Sequence, residues 1–257
     1  MNVCELYDVY FGESDSDADS VCGGYICVLA WIFVSDPFAC FEAKNGCTVY
    51  KKIFRRLKGF KNWNDEGVVH NQKKNGIYLP IKGSSKEAQK CATHQRTIDT
   101  YGKSLVILRN PYERLVSGYL DKIDRGTVSR CNFRKKLFGP KTSCSDPIPF
   151  VDFVNAIDRH MQKGKPVNSH FDLQVHNCNL NHLHYKLVLD VTRDRQKIYE
   201  YLDVPEDEAS SHHSTSSHAT AIEAYKDPDL VAQVKRMFKK DLDFAAEYGY
   251  EYLPPTA

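Results

Sequence analysis

Hydrophobic and polar positions follow two patterns along the chain. Three short runs that are rich in apolar residues, at residues 39–43, 104–108 and 186–191, predict strands, and the continuous run at 104–108 is typical of a strand that is buried in a parallel sheet. Apolar residues recur at helical spacing after Thr48 and again after Pro111, with polar residues between them. Strands that alternate with amphipathic helices predict an α/β domain with a mostly parallel sheet.

Further helices are predicted in the second half of the chain. They are expected at residues 150–162 and 195–202, and a final long amphipathic helix is expected to begin at Asp227-Pro228 and to run through Leu242. Three polar segments between the predicted elements are interpreted as loops: residues 58–90, 125–149 and 210–220.

The first residues of the chain have a different character. Residues 1–23 are rich in Asp, Ser and Gly and are expected to form a flexible acidic arm, so residues 24–257 are expected to form one domain. The apolar stretch 25–34 is about half as long as a bilayer-spanning helix. It follows an acidic segment, whereas a signal peptide begins with a basic one. We therefore expect no membrane segment within this chain, although a longer parent protein could carry an anchor upstream.

Composition and charge narrow the functional classes. The chain has 257 residues, of which 42% are hydrophobic and 26% are charged, as in ordinary globular proteins. A formal net charge of +2 is too small for general nucleic-acid binding, so any anion must be recognised by local clusters of Lys and Arg. The nine cysteines form no repeated C-x-x-C pairs, which argues against a zinc ribbon and a dense disulfide scaffold. Cys131 and Cys144 flank a basic loop and could pair, and the redox compartment stays open.

The segment Lys44-Asn45-Gly46-Cys47-Thr48 joins the first predicted strand to the first predicted helix. An ATP-type P-loop ends in Gly-Lys-Ser/Thr, but here the lysine precedes the glycine, so an ordinary kinase or NTPase is disfavoured. Backbone N–H groups at the start of a helix, together with the Thr48 hydroxyl, suit a phosphate or sulfate group. A plain strand-to-helix turn is the alternative interpretation.

The second strand-to-helix junction begins at Arg109. Asn110 is a good N-cap residue, Pro111 suits the first helical position, and Glu113 stands where a capping box requires it. This junction is therefore predicted to be the start of a well-defined helix.

One side of that helix carries candidate ligand-binding residues. Arg114, Ser117 and Asp121 are spaced three and four residues apart, so they lie along one side. Ser117 and Arg109 are then expected to face one ligand. Together with the Lys44 segment, they predict a two-part site for a doubly phosphorylated nucleotide.

The two segments resemble the 5′-phosphosulfate loop and the 3′-phosphate loop of sulfotransferases that use 3′-phosphoadenosine 5′-phosphosulfate (PAPS). The resemblance is closest to the Golgi carbohydrate sulfotransferases related to chondroitin 4-O-sulfotransferase. Positions that fit the family pattern in the two loops are Lys44, Cys47, Thr48, Lys51, Arg109, Pro111, Glu113, Arg114, Leu115, Val116, Ser117, Tyr119, Asp121 and Lys122. Further similar positions are residues 150–154 and 168–171, Cys178 with residues 184–185 and, weakly, residues 242–244 and 248–250, so the resemblance covers most of residues 35–252.

Three positions depart from the family pattern. Ala43 replaces the proline that usually precedes the lysine. Asn181 stands where the family often has a second cysteine three residues after Cys178, which puts a local disulfide in doubt. The family's Glu-Thr after the third strand appears as Val191-Thr192, with Asp190 as a possible stand-in.

The resemblance implies a P-loop-NTPase-like, three-layer sulfotransferase fold and a reaction. A sulfuryl group would move from PAPS to a carbohydrate hydroxyl by in-line displacement, without a metal. Lys44 would offset charge on the bridging oxygen, and Arg109 and Ser117 would hold the 3′-phosphate. The expected nucleotide-binding set is Lys44, Asn45, Gly46, Cys47, Thr48, Lys51, Arg109, Arg114 and Ser117.

A histidine is expected to act as the general base that takes the acceptor proton. His94 lies in a region where related uronyl 2-O-sulfotransferases place a catalytic histidine. His170 lies in an Asn-Ser-His-Phe segment that fits the closer carbohydrate subgroup. We favour His170, and a hydrogen-bonded structural histidine is the alternative for either residue.

Two other groups of residues resemble metal sites superficially: His176, Cys178, His182 and His184 in the first, and His212, His213 and His218 in the second. The first lacks the spacing of known zinc modules and overlaps family sequence that binds no metal, so we expect no metal there. The second lies in a Ser-rich loop, which is interpreted as a mobile cover over the site or as a solvated linker.

Basic residues in segments 51–61 and 125–141 predict a positive rim that suits an anionic glycan, with solvated surface charge as the alternative. The resemblance implies a location in the Golgi lumen, and the cytoplasm is the alternative. Two other functions stay open. The first is a non-catalytic nucleotide- or glycan-binding protein, which the three departures suggest. The second is a sulfotransferase for a small alcohol, a phenol or a peptide tyrosine.

Overall fold

The computed structural model describes residues 37–41, 44–71, 74, 98–99, 102–124, 128–164, 168, 170–205 and 217–256. Within these residues, three strands form one parallel sheet in the order β1-β2-β3. The strands are β1 (Pro37–Phe41), β2 (Lys103–Leu108) and β3 (Leu187–Asp190). The α/β class with a parallel sheet is therefore confirmed.

The helices follow the strands in sequence and pack on both faces of the sheet. Their bounds are α1 (Cys47–Leu57), α2 (Glu66–Val69), α3 (Pro111–Tyr119), α4 (Val128–Phe138), α5 (Phe150–Gln162), α6 (Gln174–Asn177), α7 (Arg195–Leu202), α8 (Ser217–Ala224), α9 (Pro228–Met237) and α10 (Lys239–Glu247). A π-helical turn, Leu120–Asp124, continues α3.

The central strand β2 supplies both halves of the core because successive side chains point to opposite faces of the sheet. Val106 and Leu108 belong to a cluster that includes Val116 of α3 and side chains of α5 and α9. Leu105 and Ile107 belong to a second cluster with side chains of α1 and α7. Helices therefore cover both sheet faces, which gives three layers.

Local sequence signals set the helix starts that matter for the site. The Asn110 side chain accepts a hydrogen bond from Tyr112 N at 3.0 Å, and Pro111 occupies the first turn of α3. Asp227 caps α9 in the same way, with Pro228 next in the chain. Both helix starts predicted from the sequence are confirmed.

Several loop and helix predictions were wrong. Segment 125–149 contains the helix α4, which the apolar pattern does not show because the buried side of this helix carries the charged Arg134. Segments 58–90 and 210–220 contain α2 and the start of α8. The long C-terminal helix is two helices, because Phe238 leaves the helical conformation with φ −104° and ψ 20°.

Two disulfides cross-link the described residues. Cys131 bonds to Cys144, as the sequence suggested. Cys40 of β1 bonds to Cys178, which lies 138 positions later and directly follows α6. Cys178 therefore has a distant partner rather than the local one that is missing at position 181. Of the described cysteines, Cys47 is the one that is in no disulfide.

Some expectations concern residues outside the described ranges. They include the acidic arm, the apolar stretch 25–34, Ala43, His94, His212 and His213. In the part of the chain that the structure does describe, no helix is long and apolar enough to cross a membrane.

Candidate functional site

The predicted ligand-binding loops meet at one edge of the sheet. The Lys44 loop connects β1 to α1, Arg109 and Asn110 connect β2 to α3, and Val191 directly follows β3. Because all three strands are parallel, their carboxyl ends lie at this edge, which is where open α/β sheets bind ligands.

The first loop is tightly turned before α1. Lys44 has φ 73° and Gly46 has φ 75°. A Cβ atom on Gly46 would lie 2.9 Å from Cε2 of Tyr50 and 3.2 Å from Cγ2 of Val191. Glycine is required here both by the left-handed backbone and by this close packing. The turn leaves the amino end of the eleven-residue helix α1, with its partial positive charge, at the sheet edge.

The Lys44 ammonium group is held by a carboxylate. Its Nζ lies 3.4 Å from Oδ2 of Asp121, and the same oxygen lies 3.1 Å from Nζ of Lys122. Burial lowers the pKa of Lys44, and the neighbouring Asp121 opposes this shift. Asp121 lies in the π-helical turn after α3, so that turn brings a carboxylate to the first loop.

Arg109 joins the two loops directly. Its Nη1 donates to the main-chain oxygen of Lys44 at 2.7 Å, and its Nη2 lies 3.6 Å from Oε2 of Glu113. Burial lowers the pKa of Arg109, and Glu113 opposes the shift. The guanidinium is therefore oriented by both of the elements that flank the site.

A buried glutamine that the sequence did not mark also joins the loops. Oε1 of Gln174 accepts from Nδ2 of Asn45 at 2.7 Å and from the main-chain N of Arg109 at 3.0 Å. Nε2 of Gln174 donates to the main-chain O of Arg109 at 2.9 Å. Asn45 also donates to the O of Ile107 at 2.8 Å. The predicted residue Asn45 is thus fully buried and anchors its loop from behind.

The other two predicted phosphate-binding residues of α3 are also buried. Arg114 is 1% exposed and donates from Nη1 to the O of Asp172 at 2.7 Å. Ser117 is 3% exposed. Arg114 therefore connects α3 to the segment that carries His170.

His170 lies among the same charges as Lys44. Its Nδ1 is 2.6 Å from Oδ1 of Asn168, an acceptor, so Nδ1 carries the proton and Nε2 is the basic nitrogen. Burial lowers the pKa of His170 to about 3, the positive charges of Lys122 and Lys44 add to the shift, and Asp121 opposes it. The structure therefore brings His170, Lys44 and Asp121 together, whereas His94 is outside the described residues.

Gly118 of α3 allows the His170 segment to approach. A Cβ atom at this position would lie 2.4 Å from Cε1 of Phe171 and 3.4 Å from the main-chain O of His170. A side chain at position 118 would clash with the Phe171 ring, so this ring packs directly against helix α3 at Gly118. A glycine inside a helical pattern was the sequence signal that could have indicated this contact.

A second histidine contacts the first loop. The Thr48 hydroxyl lies 3.2 Å from Nε2 of His70, which follows α2. Burial lowers the pKa of His70, and the positive charges of Lys51 and Lys122 are among the groups that lower it further. The predicted residues Thr48 and Lys51 thus share their surroundings with a histidine that the sequence gave no reason to select.

The proposed positive rim is smaller than predicted. Arg55 is buried and donates to the side chain and main chain of Asn62, and Arg134 is buried and donates to the main chain of Cys144. These two arginines stabilise loops and are not available to a ligand. Exposed members of the predicted rim are Arg56, Lys61, Lys135, Lys136 and Lys141.

The first histidine group does not assemble as a metal site. Cys178 is bonded to Cys40, and His176 lies 3.6 Å from a carboxylate oxygen of Asp172. Among the described residues, no cluster of three or more His, Cys, Asp or Glu side chains is arranged to hold a metal ion.

Comparison with known proteins identifies the family of this chain. A sequence profile described as "Sulfotransferase family" matches residues 38–250, which is most of the chain. The chain belongs to the sulfotransferase family. Both loops and the His170 segment of this sulfotransferase-family chain lie within the matched range.

Individual relatives match shorter parts of this sulfotransferase-family chain. Carbohydrate sulfotransferase 11 of Rattus norvegicus is 27% identical over 160 residues, which are 58% of this chain and 44% of that protein. Carbohydrate sulfotransferase 10 is 38% identical over 160 residues in Pongo abelii, covering 57% of this chain and 41% of that protein. In Homo sapiens it is 38% identical over 101 residues, covering 37% and 26%. The chain thus matches less than half of the length of each relative, and no solved structure matches it significantly.

Proposed function

We propose that this chain transfers a sulfuryl group from PAPS to a hydroxyl group of a carbohydrate. The observation that carries the proposal is the bond from Arg109 to the main-chain oxygen of Lys44, which joins the two candidate nucleotide loops at the carboxyl edge of the sheet. Membership of the family supports a sulfate donor, and the names of the relatives support a carbohydrate acceptor.

The first loop is assigned to the 5′-phosphosulfate. The N–H groups of Gly46, Cys47 and Thr48 open helix α1, and such groups bind anions well. Lys51, one turn further, and Lys44, the first residue of the loop, add positive charge. Asn45 supports the loop from behind, through its bonds to Ile107 and Gln174.

The second loop is assigned to the 3′-phosphate. Arg109 suits this role because its planar guanidinium can meet two phosphate oxygens at once. Ser117 lies two turns along α3 and would donate its hydroxyl. Arg114 is assigned a supporting role, because its guanidinium donates to the main-chain oxygen of Asp172.

The chemistry is an in-line displacement at sulfur. The acceptor oxygen forms a bond to sulfur, the bond between sulfur and the bridging oxygen of the 5′-phosphate breaks, and the acceptor proton passes to a base. Lys44 and the amino end of α1 would stabilise the negative charge that develops on the bridging oxygen. Asp121 orients Lys44 through its ion pair.

We assign the base to His170, with His94 as the second candidate. Asn168 fixes the ring so that Nε2 carries the free electron pair, which is the form that a general base requires. Burial lowers the pKa of His170 to about 3, and the positive charges of Lys122 and Lys44 add to this shift. An anionic donor would offset those charges and raise the basicity of His170.

The acceptor is proposed to be an anionic glycan. The exposed lysines at positions 135, 136 and 141 lie on or just after α4 and leave positive charge on that surface. Such charge would attract a sulfated or uronic-acid glycan. The finer assignment to chondroitin-type acceptors rests on the sequence resemblance alone.

We propose the Golgi lumen as the location. Disulfides persist in oxidising compartments and are rare in the cytosol, and the described residues contain two of them, at Cys40–Cys178 and Cys131–Cys144. This observation favours the lumen over the cytoplasmic alternative.

One observation favours the non-catalytic alternative. Asp190, the stand-in for the family's glutamate after the third strand, is already engaged by Thr192 N, Arg193 N and the hydroxyl of Tyr252. If that glutamate were essential to the reaction, this chain would bind PAPS without transferring sulfate.

The test is transfer of labelled sulfate from PAPS to an array of desulfated glycans, phenols, small alcohols and tyrosine peptides. Transfer to a carbohydrate is expected, with a loss of about tenfold or more in Arg109→Ala because a charge-assisted bond is removed. Lys141→Ala, at an exposed position, serves as the control for the loss of one positive charge. Tight PAPS binding without transfer to any acceptor would support the non-catalytic alternative and contradict the proposal.

A further inference from the structure

The short helix α6 contacts both candidate nucleotide loops through hydrogen bonds of one side chain. Its first residue, Gln174, is 1% exposed. The amide accepts from Asn45 Nδ2 and from Arg109 N, and it donates to Arg109 O, over 2.7 to 3.0 Å. One side chain thus fixes the first loop relative to the second.

Gln174 is itself held by a buried carboxylate of α10. Oδ2 of Asp241 accepts from the main-chain N of Gln174 at 2.9 Å, and Oδ1 accepts from the N of Val175 at 3.0 Å. Asp241 is 3% exposed. The carboxylate meets the first two N–H groups of α6, which have no partner within the helix, and so it determines where α6 begins.

A covalent link holds the other end of α6. The disulfide between Cys40 and Cys178 joins β1, four residues before Lys44, to the residue that follows α6. The element that carries Gln174 is therefore held at its start by α10 and at its end by β1. A group held on both sides in this way loses little conformational freedom when a ligand binds.

We propose that Gln174 is a positioning residue for the nucleotide, which acts through Asn45 and Arg109 and is held in register by Asp241. This inference rests on the proposed function of the two loops. Gln174 does not touch the ligand, and its amide sets the spacing between the 5′ and 3′ binding groups. Buried polar bonds of this kind have strict geometry, so their loss is expected to change that spacing.

The test measures the binding of 3′-phosphoadenosine 5′-phosphate (PAP), the product of the donor, by calorimetry. Gln174→Met keeps the length of the side chain but removes the three bonds. It is expected to weaken PAP binding by about tenfold or more, since each buried group left without a partner is costly. The matched control is Gln233→Met, which removes bonds to Asn155 and Asp158 that join α9 to α5. This control is expected to bind PAP within about twofold of the wild-type value.

A second variant gives a readout that lost stability alone would not change. In Gln174→Glu, the protonated acid can still accept from Asn45 and donate to Arg109 O, whereas the carboxylate cannot donate. The ratio of its PAP dissociation constant to the wild-type value is therefore expected to fall as the pH is lowered from 8 to 5.5. If Gln174→Met does not fold, Gln174→Glu alone tests the inference.

The possible outcomes distinguish this inference from the proposed function on which it rests. A wild-type protein that does not bind PAP overturns the proposed function and this inference with it. Wild-type binding together with unchanged binding by Gln174→Met overturns this inference alone. A Gln174→Glu ratio that does not depend on pH also overturns it.

Discussion

Arg109 donates a hydrogen bond from Nη1 to the main-chain oxygen of Lys44 over 2.7 Å, although the two residues are 65 positions apart. One residue follows β2 and the other follows β1, so the bond spans the edge of the sheet between neighbouring strands. The guanidinium is oriented by this bond and by Glu113, whose carboxylate lies 3.6 Å away. Such preorganisation reduces the entropic cost of binding a phosphate group.

The first prediction concerns recognition of the 3′-phosphate. Arg109→Lys keeps the charge but loses the planar fork, so we expect it to weaken PAP binding by about tenfold and to leave AMP binding nearly unchanged. Calorimetric titration with both nucleotides measures the ratio of the dissociation constants for PAP and AMP. Arg193→Lys, at a residue that donates to the main chain of Glu251, is the control. Retention of the wild-type ratio in Arg109→Lys would contradict this role.

The second prediction concerns the turn before α1. Gly46→Ala is expected to destabilise the protein by about 2–4 kcal/mol, because a left-handed backbone and a close contact are both unfavourable for alanine. Gly164→Ala is a matched control: its φ is also positive, at 63°, but its Cβ would meet no atom within 4 Å. Urea denaturation measures the free energy of unfolding of both variants, and the difference between their losses is the contribution of the close contact. Equal losses would show that the contact with Tyr50 and Val191 does not affect stability.

The third prediction concerns Gly118 in helix α3. Replacing a glycine by alanine inside a helix usually stabilises it by about 1 kcal/mol. Gly118→Ala is instead expected to lower both stability and transfer activity, since its Cβ would lie 2.4 Å from Cε1 of Phe171. The double variant Gly118→Ala/Phe171→Val should recover part of the lost activity. An unfolding midpoint at or above the wild-type value in Gly118→Ala would rule out this close contact.

The fourth prediction concerns the charge on His170. Its folded pKa of about 3 lies below the unfolded value, so the unfolded chain takes up a proton first as the pH falls. His170 therefore lowers stability progressively between about pH 6.5 and 3, and above this window it has no such effect. NMR titration of the ring should show a neutral imidazole at pH 5 without nucleotide.

Bound PAP is expected to raise the pKa of His170, because its phosphates offset the charges of Lys44 and Lys122. The same titration in the presence of PAP measures this change. His170→Gln is the control that identifies the ring signal. A ring that titrates near its ordinary pKa both with and without PAP would exclude the charge coupling between His170 and Lys44.

Much of this fold follows from local patterns in the sequence. The apolar runs predicted the three strands to within a few residues, because parallel strands that are buried on both faces are rich in apolar residues. The start of α3 was predicted because Asn110 and Pro111 act through local chemistry. The order of the lysine and the glycine at positions 44 and 46 distinguished the first loop from an ATP-type P-loop.

The remaining features depend on contacts between distant segments. Gln174 and Asp241 are polar residues within helices, and no local pattern distinguishes a buried amide from an exposed one. The helix α4 was missed because Arg134 takes a buried position that is usually apolar. The bond between Cys40 and Cys178 joins residues 138 positions apart, so spacing along the chain does not indicate it.

The central claim is that Lys44 acts in sulfuryl transfer at the joined loops. Single-turnover transfer from saturating PAPS to the best carbohydrate acceptor tests it most directly, with the wild-type protein and Lys44→Ala compared at the same pH. We predict transfer by the wild-type protein and a rate that is lower by about 100-fold or more in Lys44→Ala. The reason is that the charge on the bridging oxygen would lose its stabilising group. Equal rates in the two proteins would contradict the account.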